Sequence, residues 1–304
     1  MRNTFVDVVI RRAQERRDIF VVSGDAGLGV FDSYRTSLPE QFLNLGVAEQ
    51  NMASFSAGLA LSGYKVYMYN IIPFLLYRCY EQVRNDICYQ NLPVVLAGIG
   101  SGVTYAPQGM THYSVEDIGL ARTLPNLFVF SPIDPVEARA AALFSLEASS
   151  PVYVRLAKRG EPCIHGGEQD IRIDRPQLIR KGGRLAILVH GSLGPEALAA
   201  CELLNARGLE PMLISVPLIQ PLPVDELFAL LEGCEHVVSV EEHFVGCGLG
   251  SILAKAHSLR EPSWKLHPLG IQDAFIHEIK DTQGMREYFG ISAARIAAFI
   301  EALL

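Results

Sequence analysis

The amino-acid sequence predicts an α/β protein made of two doubly wound domains. Short apolar runs alternate with segments of helical periodicity along nearly the whole chain, and this alternation is typical of parallel sheets that helices cover on both faces. The chain has 304 residues, which is more than one average domain contains. Near its middle, a stretch rich in glycine and charge interrupts the alternation. We therefore expect one domain, with its own core, on each side of this stretch.

The first domain is predicted at residues 1–157. Its opening segment has helical spacing, and Asn3 or Thr4 is expected to cap the helix. Strands are expected where short apolar runs suit a buried parallel sheet, and the predicted helix at 73–89 has Pro73 in its first turn. Predicted strands lie at 19–22, 65–69, 93–98, 128–130 and 152–155, and further helices at 51–61 and 135–147.

Residues 158–183 are predicted as a linker that contains one small hairpin. This stretch holds Arg159-Gly160-Glu161-Pro162, two glycine pairs and many charges. The alternation then restarts, which predicts a second, smaller domain at 184–304. Its predicted strands are 185–189, 211–215 and 236–240, and its predicted helices are 195–207, 224–231, 248–256 and 293–303.

The composition excludes several classes of protein. A net charge of −7 argues against the basic face that a nucleic-acid-binding protein needs. No apolar run is long enough to cross a bilayer, and charges interrupt the N-terminal segment, so we expect neither a membrane span nor a signal peptide. The six cysteines form no C-x-x-C pair, which leaves zinc and dithiol motifs without support. Scattered thiols fit a reducing compartment, so we expect a cytoplasmic location.

Glu49 is the most unusual candidate site residue. It is a single acid among apolar and small residues, in the segment Asn44-Leu45-Gly46-Val47-Ala48-Glu49-Gln50-Asn51-Met52. An exposed glutamate at a helix start is the simpler interpretation, because the helix dipole favours a negative charge there. The functional interpretation is a desolvated carboxyl that shares a proton with a bound heterocycle. From the pattern alone, the simpler interpretation is favoured.

The predicted helix at 73–89 carries aromatic and basic side chains. Phe74, Tyr77 and Tyr80 are interpreted first as core residues, because aromatic side chains bury large areas in any fold. A platform for a cofactor is the alternative. Arg78, on the same helix, is either solvated or paired with an acid of that helix.

A glycine-rich loop follows the predicted strand at 93–98 and runs to His112. It therefore lies at the carboxyl edge of the sheet, where α/β proteins bind ligands. Its glycines do not open directly into a helix, so a dinucleotide fingerprint is not predicted. A single histidine is usually structural, but the position of His112 at the end of this loop favours a ligand contact. Similar glycines at 246–250 follow the acidic pair Glu241 and Glu242, which would repel a phosphate, so we interpret them as packing positions.

Taken together, these segments resemble the transketolase family of thiamine diphosphate enzymes. The order and spacing of the motifs carry the resemblance more than any single motif does. It implies a pyrimidine-binding-type domain at 1–157 and a transketolase C-terminal-type domain at 184–304. The motifs are Leu45-Gly46-Val47-Ala48-Glu49-Gln50-Asn51-Met52, Phe74-Leu75-Leu76-Tyr77-Arg78, Gln108-Gly109-Met110-Thr111-His112, Ser114-Val115-Glu116-Asp117-Ile118 and Ser239-Val240-Glu241-Glu242-His243.

A complete transketolase also has a domain that holds the diphosphate through a magnesium ion, and its mark is a Gly-Asp-Gly stretch with a later asparagine. The nearest match is Ser23-Gly24-Asp25-Ala26-Gly27, and no suitable asparagine follows it. The resemblance therefore implies the small subunit of a split transketolase, active only with an N-terminal-half partner subunit in an α2β2 assembly. Thiamine diphosphate and Mg²⁺ would be held mainly by that partner, and we expect no metal ligand on this chain.

The resemblance also implies roles for residues near the cofactor. Glu49 would bond a ring nitrogen of the aminopyrimidine and promote the tautomer that deprotonates the thiazolium carbon. Phe74 would stack on the pyrimidine, and Arg78 would lie near the same pocket. Ile71 stands where the family usually has a second aromatic residue, so the stack is expected to be thinner.

Four further residues are assigned to the substrates by the same resemblance. His112 would contact the hydroxyls of the donor, a ketose that is expected to be phosphorylated. Arg2 and Lys158 would grip its far phosphate. Gln108 stands where the family usually has an aspartate that reads an acceptor hydroxyl. Because an amide both donates and accepts hydrogen bonds, we expect an altered acceptor preference.

Two alternatives remain open from the sequence. Deoxyxylulose phosphate synthases and 2-oxo acid dehydrogenase β-subunits share this pair of domains, so an acyl-transfer subunit is the second enzymatic interpretation. A regulatory subunit with an inactive pocket is the other alternative. The joint presence of Glu49, Phe74 and His112 argues against it.

Overall fold

The computed structural model describes residues 1–27, 29–158, 160–166 and 171–304. Its strands are β1 (Ile19–Ser23), β2 (Phe42–Asn44), β3 (Lys65–Ile71), β4 (Val94–Ile99), β5 (Phe128–Phe130), β6 (Val152–Leu156), β7 (Gln177–Arg180), β8 (Leu185–Val189), β9 (Met212–Ser215), β10 (Leu218–Gln220), β11 (His236–Phe244) and β12 (Lys265–Ile271). Its α-helices are α1 (Arg2–Glu15), α2 (Asp32–Ser37), α3 (Glu49–Leu61), α4 (Tyr80–Gln82), α5 (Asp117–Ala121), α6 (Pro135–Glu147), α7 (Gly194–Asn205), α8 (Val224–Leu230), α9 (Leu249–Arg260), α10 (Thr282–Tyr288) and α11 (Ala293–Leu303). Across the described part of the chain, every helix falls short of the length and apolar character that a bilayer span demands.

The strands form two largely parallel sheets, which confirms the predicted α/β class. The first sheet has seven strands in the order β10-β5-β6-β4-β3-β1-β2, and the second has five in the order β12-β11-β8-β9-β7. Each sheet has one antiparallel edge strand, β10 in the first and β7 in the second. Because β10 follows the predicted linker in sequence, the first sheet is completed by a strand from the second half of the chain. The sequence analysis did not predict β10.

Helix α1 does not begin as expected. Its N-cap is Met1, without a side-chain capping bond, so the predicted caps Asn3 and Thr4 are wrong. The amino group of Met1 instead lies 2.9 Å from a carboxylate oxygen of Glu161. This buried ion pair fixes the start of α1 against the segment that leads out of β6.

The predicted helix at 73–89 is interrupted by two wide turns. The backbone N–H of Arg78 donates to the carbonyl of Pro73 (3.1 Å), and that of Tyr89 donates to the carbonyl of Arg84 (2.8 Å), so both bonds span five residues. Such π-type turns contain one more residue than an α-helical turn and are frequent at functional sites.

In the described part of the predicted linker at 158–183, the structure has one strand, β7, and the expected hairpin is not seen there. Strand β7 pairs antiparallel with β9, so it belongs to the second sheet. Asp134 holds part of the linker, because its carboxylate accepts the backbone N–H groups of Ile164 (2.8 Å) and His165 (2.9 Å). Of the residues that suggested a linker, Arg159 and one glycine of the 166–167 pair lie outside the described residues.

Each half of the chain has a buried apolar cluster that lies mostly within it, and a further cluster is shared between the halves. One buried cluster runs from Val22 and Leu96 in the first sheet to Ile214, Leu249 and Trp264 in the second half. Each half therefore has a core of its own, as expected, and the shared cluster joins the two halves. Because the two halves pack against each other through this shared cluster, side-chain packing rather than the linker fixes the position of one sheet relative to the other.

A buried arginine joins the halves beside the loop that follows β4. Arg155 on β6 donates to the Asp117 carboxylate (2.8 Å), and its second nitrogen donates to the carbonyls of Ser114 (2.7 Å) and Glu242 (3.1 Å). Removing one member of such a buried pair costs about 3–5 kcal/mol, because the other charge stays behind in the interior. The network therefore fixes the far end of the glycine-rich loop.

Candidate functional site

Three predicted site residues converge at the carboxyl edge of the first sheet. Glu49 is the first residue of α3, which follows β2. Phe74 follows β3, and His112 lies in the loop that follows β4. Because β1, β2, β3 and β4 are parallel neighbours, their carboxyl ends meet at one edge, where ligands bind in open α/β sheets.

The carboxyl of Glu49 is buried, with 4% of the residue exposed. One of its oxygens lies 2.9 Å from Nη1 of Arg78, and the other accepts a hydrogen bond from Nδ2 of Asn70 at 3.4 Å. The interpretation of Glu49 as an exposed helix-start residue is therefore wrong. Its position at the first turn of α3 is as expected, but the side chain turns inward to two partners.

Asn70 is a site residue that the sequence analysis missed. It is buried near the end of β3, and its Oδ1 accepts the backbone N–H of Ile71 at 2.8 Å, which orients the amide towards Glu49. The position of the Asn70 amide requires glycine at residue 24. A Cβ on Gly24 would lie 2.3 Å from Nδ2 of Asn70, so any larger residue there would displace the amide. The signal that could have found Asn70 is a polar residue at the carboxyl end of a predicted strand.

Phe74 is half-buried and does not belong to the buried apolar clusters. The guanidinium carbon of Arg78 lies 4.3 Å from the centre of the Phe74 ring, within cation–π range. The His112 ring meets Phe74 edge-on, with centroids 5.4 Å apart and an interplanar angle of 75°. The preference for a core role is therefore wrong for Phe74.

His112 is held at the end of its loop. Its Nδ1 lies 2.9 Å from the hydroxyl of Thr111, and its ring approaches Tyr105 edge-on at 6.3 Å. Burial lowers the pKa of His112. The imidazole is therefore neutral at neutral pH, and it can accept one hydrogen bond and donate another.

Tyr105 links the predicted phosphate-binding residues to this site, and sequence reasoning also missed it. The ammonium of Lys158 lies 5.1 Å from the centre of the Tyr105 ring. Burial raises the pKa of Tyr105, and the positive charge of Arg2 opposes that rise. Arg2 also donates two hydrogen bonds to Asn3 (3.0 and 2.9 Å).

Gln108 is exposed in a short 3-10 turn, four residues before His112. A cleft of about 450 Å³ lies beside this turn, between the two halves of the chain. Its lining includes Thr104, Pro107, Lys158, Ser192 and Arg286.

The residues present fit an aminopyrimidine ring. Glu49 supplies a buried carboxylate, and Phe74 supplies a half-exposed ring beside it. The stretch around Gly24, which was the nearest match to a magnesium motif, closes on itself: the Ser23 hydroxyl donates to the carbonyls of Gly24 and Ala26, both at 2.8 Å. Among the residues that the structure describes, no three His, Cys, Asp or Glu side chains group closely enough to hold a metal ion.

Comparisons with known proteins identify the family of the chain. The model of the transketolase pyrimidine-binding domain matches residues 1–161, and that of the transketolase C-terminal domain matches residues 175–296. One of the subunits of apulose-4-phosphate transketolase from Actinobacillus succinogenes is 33% identical over 297 residues, which cover 97% of this chain and 96% of that protein. A 6-deoxy-6-sulfo-D-fructose transketolase subunit from Clostridium sp. (strain MSTE9) is 31% identical over 299 residues, which cover 97% of this chain and 92% of that protein.

A solved structure has the same fold over its whole length. It is described as a split gene transketolase, an inactive beta4 tetramer, and it superposes with a TM-score of 0.88 at 28% identity. The match covers 99% of this chain and 96% of the solved chain. The chain therefore belongs to the transketolase family and carries that family's pyrimidine-binding and C-terminal domains.

Proposed function

We propose that this chain is the small subunit of a split transketolase, which transfers a two-carbon ketol unit from a ketose to an aldehyde with thiamine diphosphate. One observation carries the proposal: the buried Glu49 carboxylate lies beside the half-exposed ring of Phe74 at the carboxyl edge of the sheet. The domain limits of 1–157 and 184–304, with a linker at 158–183, are part of the same proposal.

Glu49 holds and returns a proton in this proposal. Thiamine diphosphate, when bound, supplies the carbon nucleophile that the amino acids lack. Glu49 would bond a ring nitrogen of the aminopyrimidine and would exchange a proton with it, which a general acid–base group must do at close range. Asn70 fixes the second carboxylate oxygen at 3.4 Å, and Phe74 orients the pyrimidine by stacking. Burial of Glu49 keeps competing water away from the proton.

In this proposal His112 contacts the donor substrate, and Gln108 contacts the acceptor substrate. His112 lies beside Phe74, so it contacts the donor, whose hydroxyls it can meet as both donor and acceptor of hydrogen bonds. Gln108 is exposed further along the loop and contacts the acceptor. Arg2 and Lys158, the latter beside the ring of Tyr105, bind the far phosphate of a phosphorylated sugar.

A partner subunit supplies the remaining half of the site. We propose that an N-terminal-half transketolase subunit holds the diphosphate and Mg²⁺, and that the two chains assemble as α2β2. The relatives that match along nearly their whole length are themselves named as subunits, which supports this division. We place the complex in the cytoplasm, because a reducing compartment suits the buried thiols of Cys79, Cys88, Cys201 and Cys234.

Reconstitution tests the proposal. The purified chain is mixed with its candidate partner subunit, thiamine diphosphate and Mg²⁺, and a panel of ketose donors is offered with aldehyde acceptors. We expect ketol transfer that requires both chains and the cofactor. Acyl transfer from a 2-oxo acid, or no turnover with any ketose, would contradict the proposal.

A further inference from the structure

Arg78 makes two contacts that meet at one place. Its Nη1 lies 2.9 Å from a carboxylate oxygen of Glu49, and its guanidinium carbon lies 4.3 Å from the centre of the Phe74 ring. The side chain is 43% exposed, so it reaches this place from the solvent side. One planar group therefore engages both the buried carboxylate and the aromatic ring.

These are also the two contacts that the proposed function assigns to the aminopyrimidine. A guanidinium is flat, presents N–H donors in its plane and stacks on aromatic rings, so it can meet a carboxylate and a ring as an amino-substituted heterocycle does. Arg78 occupies one oxygen of Glu49, while Asn70 occupies the other. Because the guanidinium contacts the carboxylate and the Phe74 ring together, a pyrimidine that makes both of these contacts needs the place that Arg78 occupies.

We infer that Arg78 is an internal stand-in for the aminopyrimidine, which the cofactor displaces from Glu49 and Phe74 when it binds. This inference rests on the proposed function, because that function assigns Glu49 and Phe74 to the pyrimidine. The inference goes beyond that function because it gives the cofactor-free site a defined state, in which Arg78 contacts both Glu49 and Phe74.

Of the two partners of Glu49, Arg78 is the one that can leave. Asn70 is 1% exposed and is tied to the backbone of Ile71, whereas Arg78 is 43% exposed at the end of a wide turn. A buried carboxylate without a partner is costly, so the stand-in stabilises the site before the cofactor arrives. The same contact lowers the apparent affinity for the cofactor, since binding requires the population in which Arg78 has left.

Cofactor binding to the reconstituted complex tests this inference by isothermal titration calorimetry with thiamine diphosphate and Mg²⁺. We expect Arg78→Met to bind the cofactor about five- to tenfold more tightly than wild type, because the competing cation is gone while the alkyl stem remains. Arg78→Lys should fall between the two, since an ammonium pairs with Glu49 but stacks less well on Phe74. Arg84→Met is the matched control: Arg84 is exposed on the same segment and bonds the neighbouring Asn85, so its loss should leave the affinity unchanged.

A second measurement tests whether Arg78 stabilises the site when the cofactor is absent. The thermal unfolding midpoint of the cofactor-free complex should fall in Arg78→Met, and the difference from wild type should shrink once the cofactor is bound. Unchanged or weaker cofactor binding in Arg78→Met would overturn the inference.

The proposed function fails in a different way. Phe74→Leu should weaken cofactor binding whether or not Arg78 is a stand-in. If Phe74→Leu leaves the affinity unchanged, or if the wild-type complex does not bind the cofactor, then the proposed function fails. If Phe74→Leu weakens binding and Arg78→Met does not tighten it, then the stand-in alone is wrong.

Discussion

The imidazole of His112 meets the ring of Phe74 edge-on, with centroids 5.4 Å apart. The residue that we assign to the donor and the residue that we assign to the cofactor therefore touch, although they follow different strands. A change in one ring will shift the other, so the two roles must be separated by partial reactions rather than by overall turnover.

The Glu49→Gln variant should nearly abolish turnover of the reconstituted complex while leaving the fold intact. An amide cannot pass a proton to the pyrimidine, and general acid–base steps contribute roughly 10²–10⁴-fold. The measurement is steady-state turnover, with circular dichroism as the control for folding. Turnover near that of wild type would exclude Glu49 from this role.

The chain alone should be inactive and should bind thiamine diphosphate poorly. In the proposed function the partner subunit holds the diphosphate and Mg²⁺, so the isolated chain has only half of the site. Calorimetry on the isolated chain, with and without Mg²⁺, checks this expectation. Tight, Mg²⁺-dependent binding without a partner would show that the chain is not half of a divided site.

The His112→Ala variant should slow cleavage of the donor even when no acceptor is present. His112 contacts Phe74, so the proposal places it beside the reacting end of the donor. Stopped-flow measurement of donor cleavage in the reconstituted complex isolates this half of the reaction. The idea is wrong if donor cleavage keeps its rate and only the acceptor half slows.

The Gln108→Asp variant should leave donor cleavage alone and reorder the acceptors. Gln108 is exposed, so its side chain can meet a substrate. The amide of glutamine both donates and accepts hydrogen bonds, whereas the carboxylate of the aspartate variant only accepts them. Loss of a hydrogen bond to a substrate hydroxyl costs about 1–3 kcal/mol, which is enough to change a ranking. Competition between aldehyde acceptors measures the order of preference among them. An unchanged order in the variant would mean that Gln108 does not recognise the acceptor.

The pH dependence of stability should reveal the bond between His165 and Asp134. Burial lowers the pKa of His165, but the hydrogen bond to Asp134 opposes burial, and the pKa is raised above 6.5. The charge of Glu137 adds to this rise only where Glu137 is ionised, and burial raises the pKa of that carboxyl to about 7, so the Asp134 bond is the contribution that is tested at low pH. A raised histidine pKa stabilises the fold fully below pH 6.5, and this contribution is lost as the pH rises through the folded-state value. His165→Gln should therefore cost about 1 kcal/mol more at pH 5.5 than at pH 9.

Urea unfolding at the two pH values checks this expectation, and exposed His277 supplies the control. The cost of His277→Gln should be the same at both pH values. A cost of His165→Gln that grows towards high pH would mean that the protonated imidazole does not stabilise the fold.

The sequence predicted those parts of the fold that depend on local pattern. Strand β5 and helices α6 and α11 have the predicted bounds, because apolar runs, a proline in the first turn and helical spacing are local signals. Strand β10 was missed, since its three residues become a strand only by pairing with β5 from far away in the chain.

The candidate site was predicted in its residue types and not in its contacts. Glu49, Phe74 and His112 were named from motifs, and the parallel strands do bring them to one edge. The burial of Glu49 depends on Arg78 and Asn70, which approach it from other elements. The wide turn at 73–77 was not predicted either, because the pattern of apolar residues does not distinguish it from an α-helical turn.

The pairing of β10 with β5 limits how this protein can be divided or recombined. A fragment that ends at the linker would leave β5 with an open, hydrogen-bonding edge, which is a template for aggregation. A chimaera that takes its C-terminal half from a relative would inherit the donor's version of β10 as well. The linker is therefore not a suitable boundary for exchanging halves between relatives. A chimaera should take residues 218–220 from the same protein as the N-terminal half, because these residues complete the first sheet.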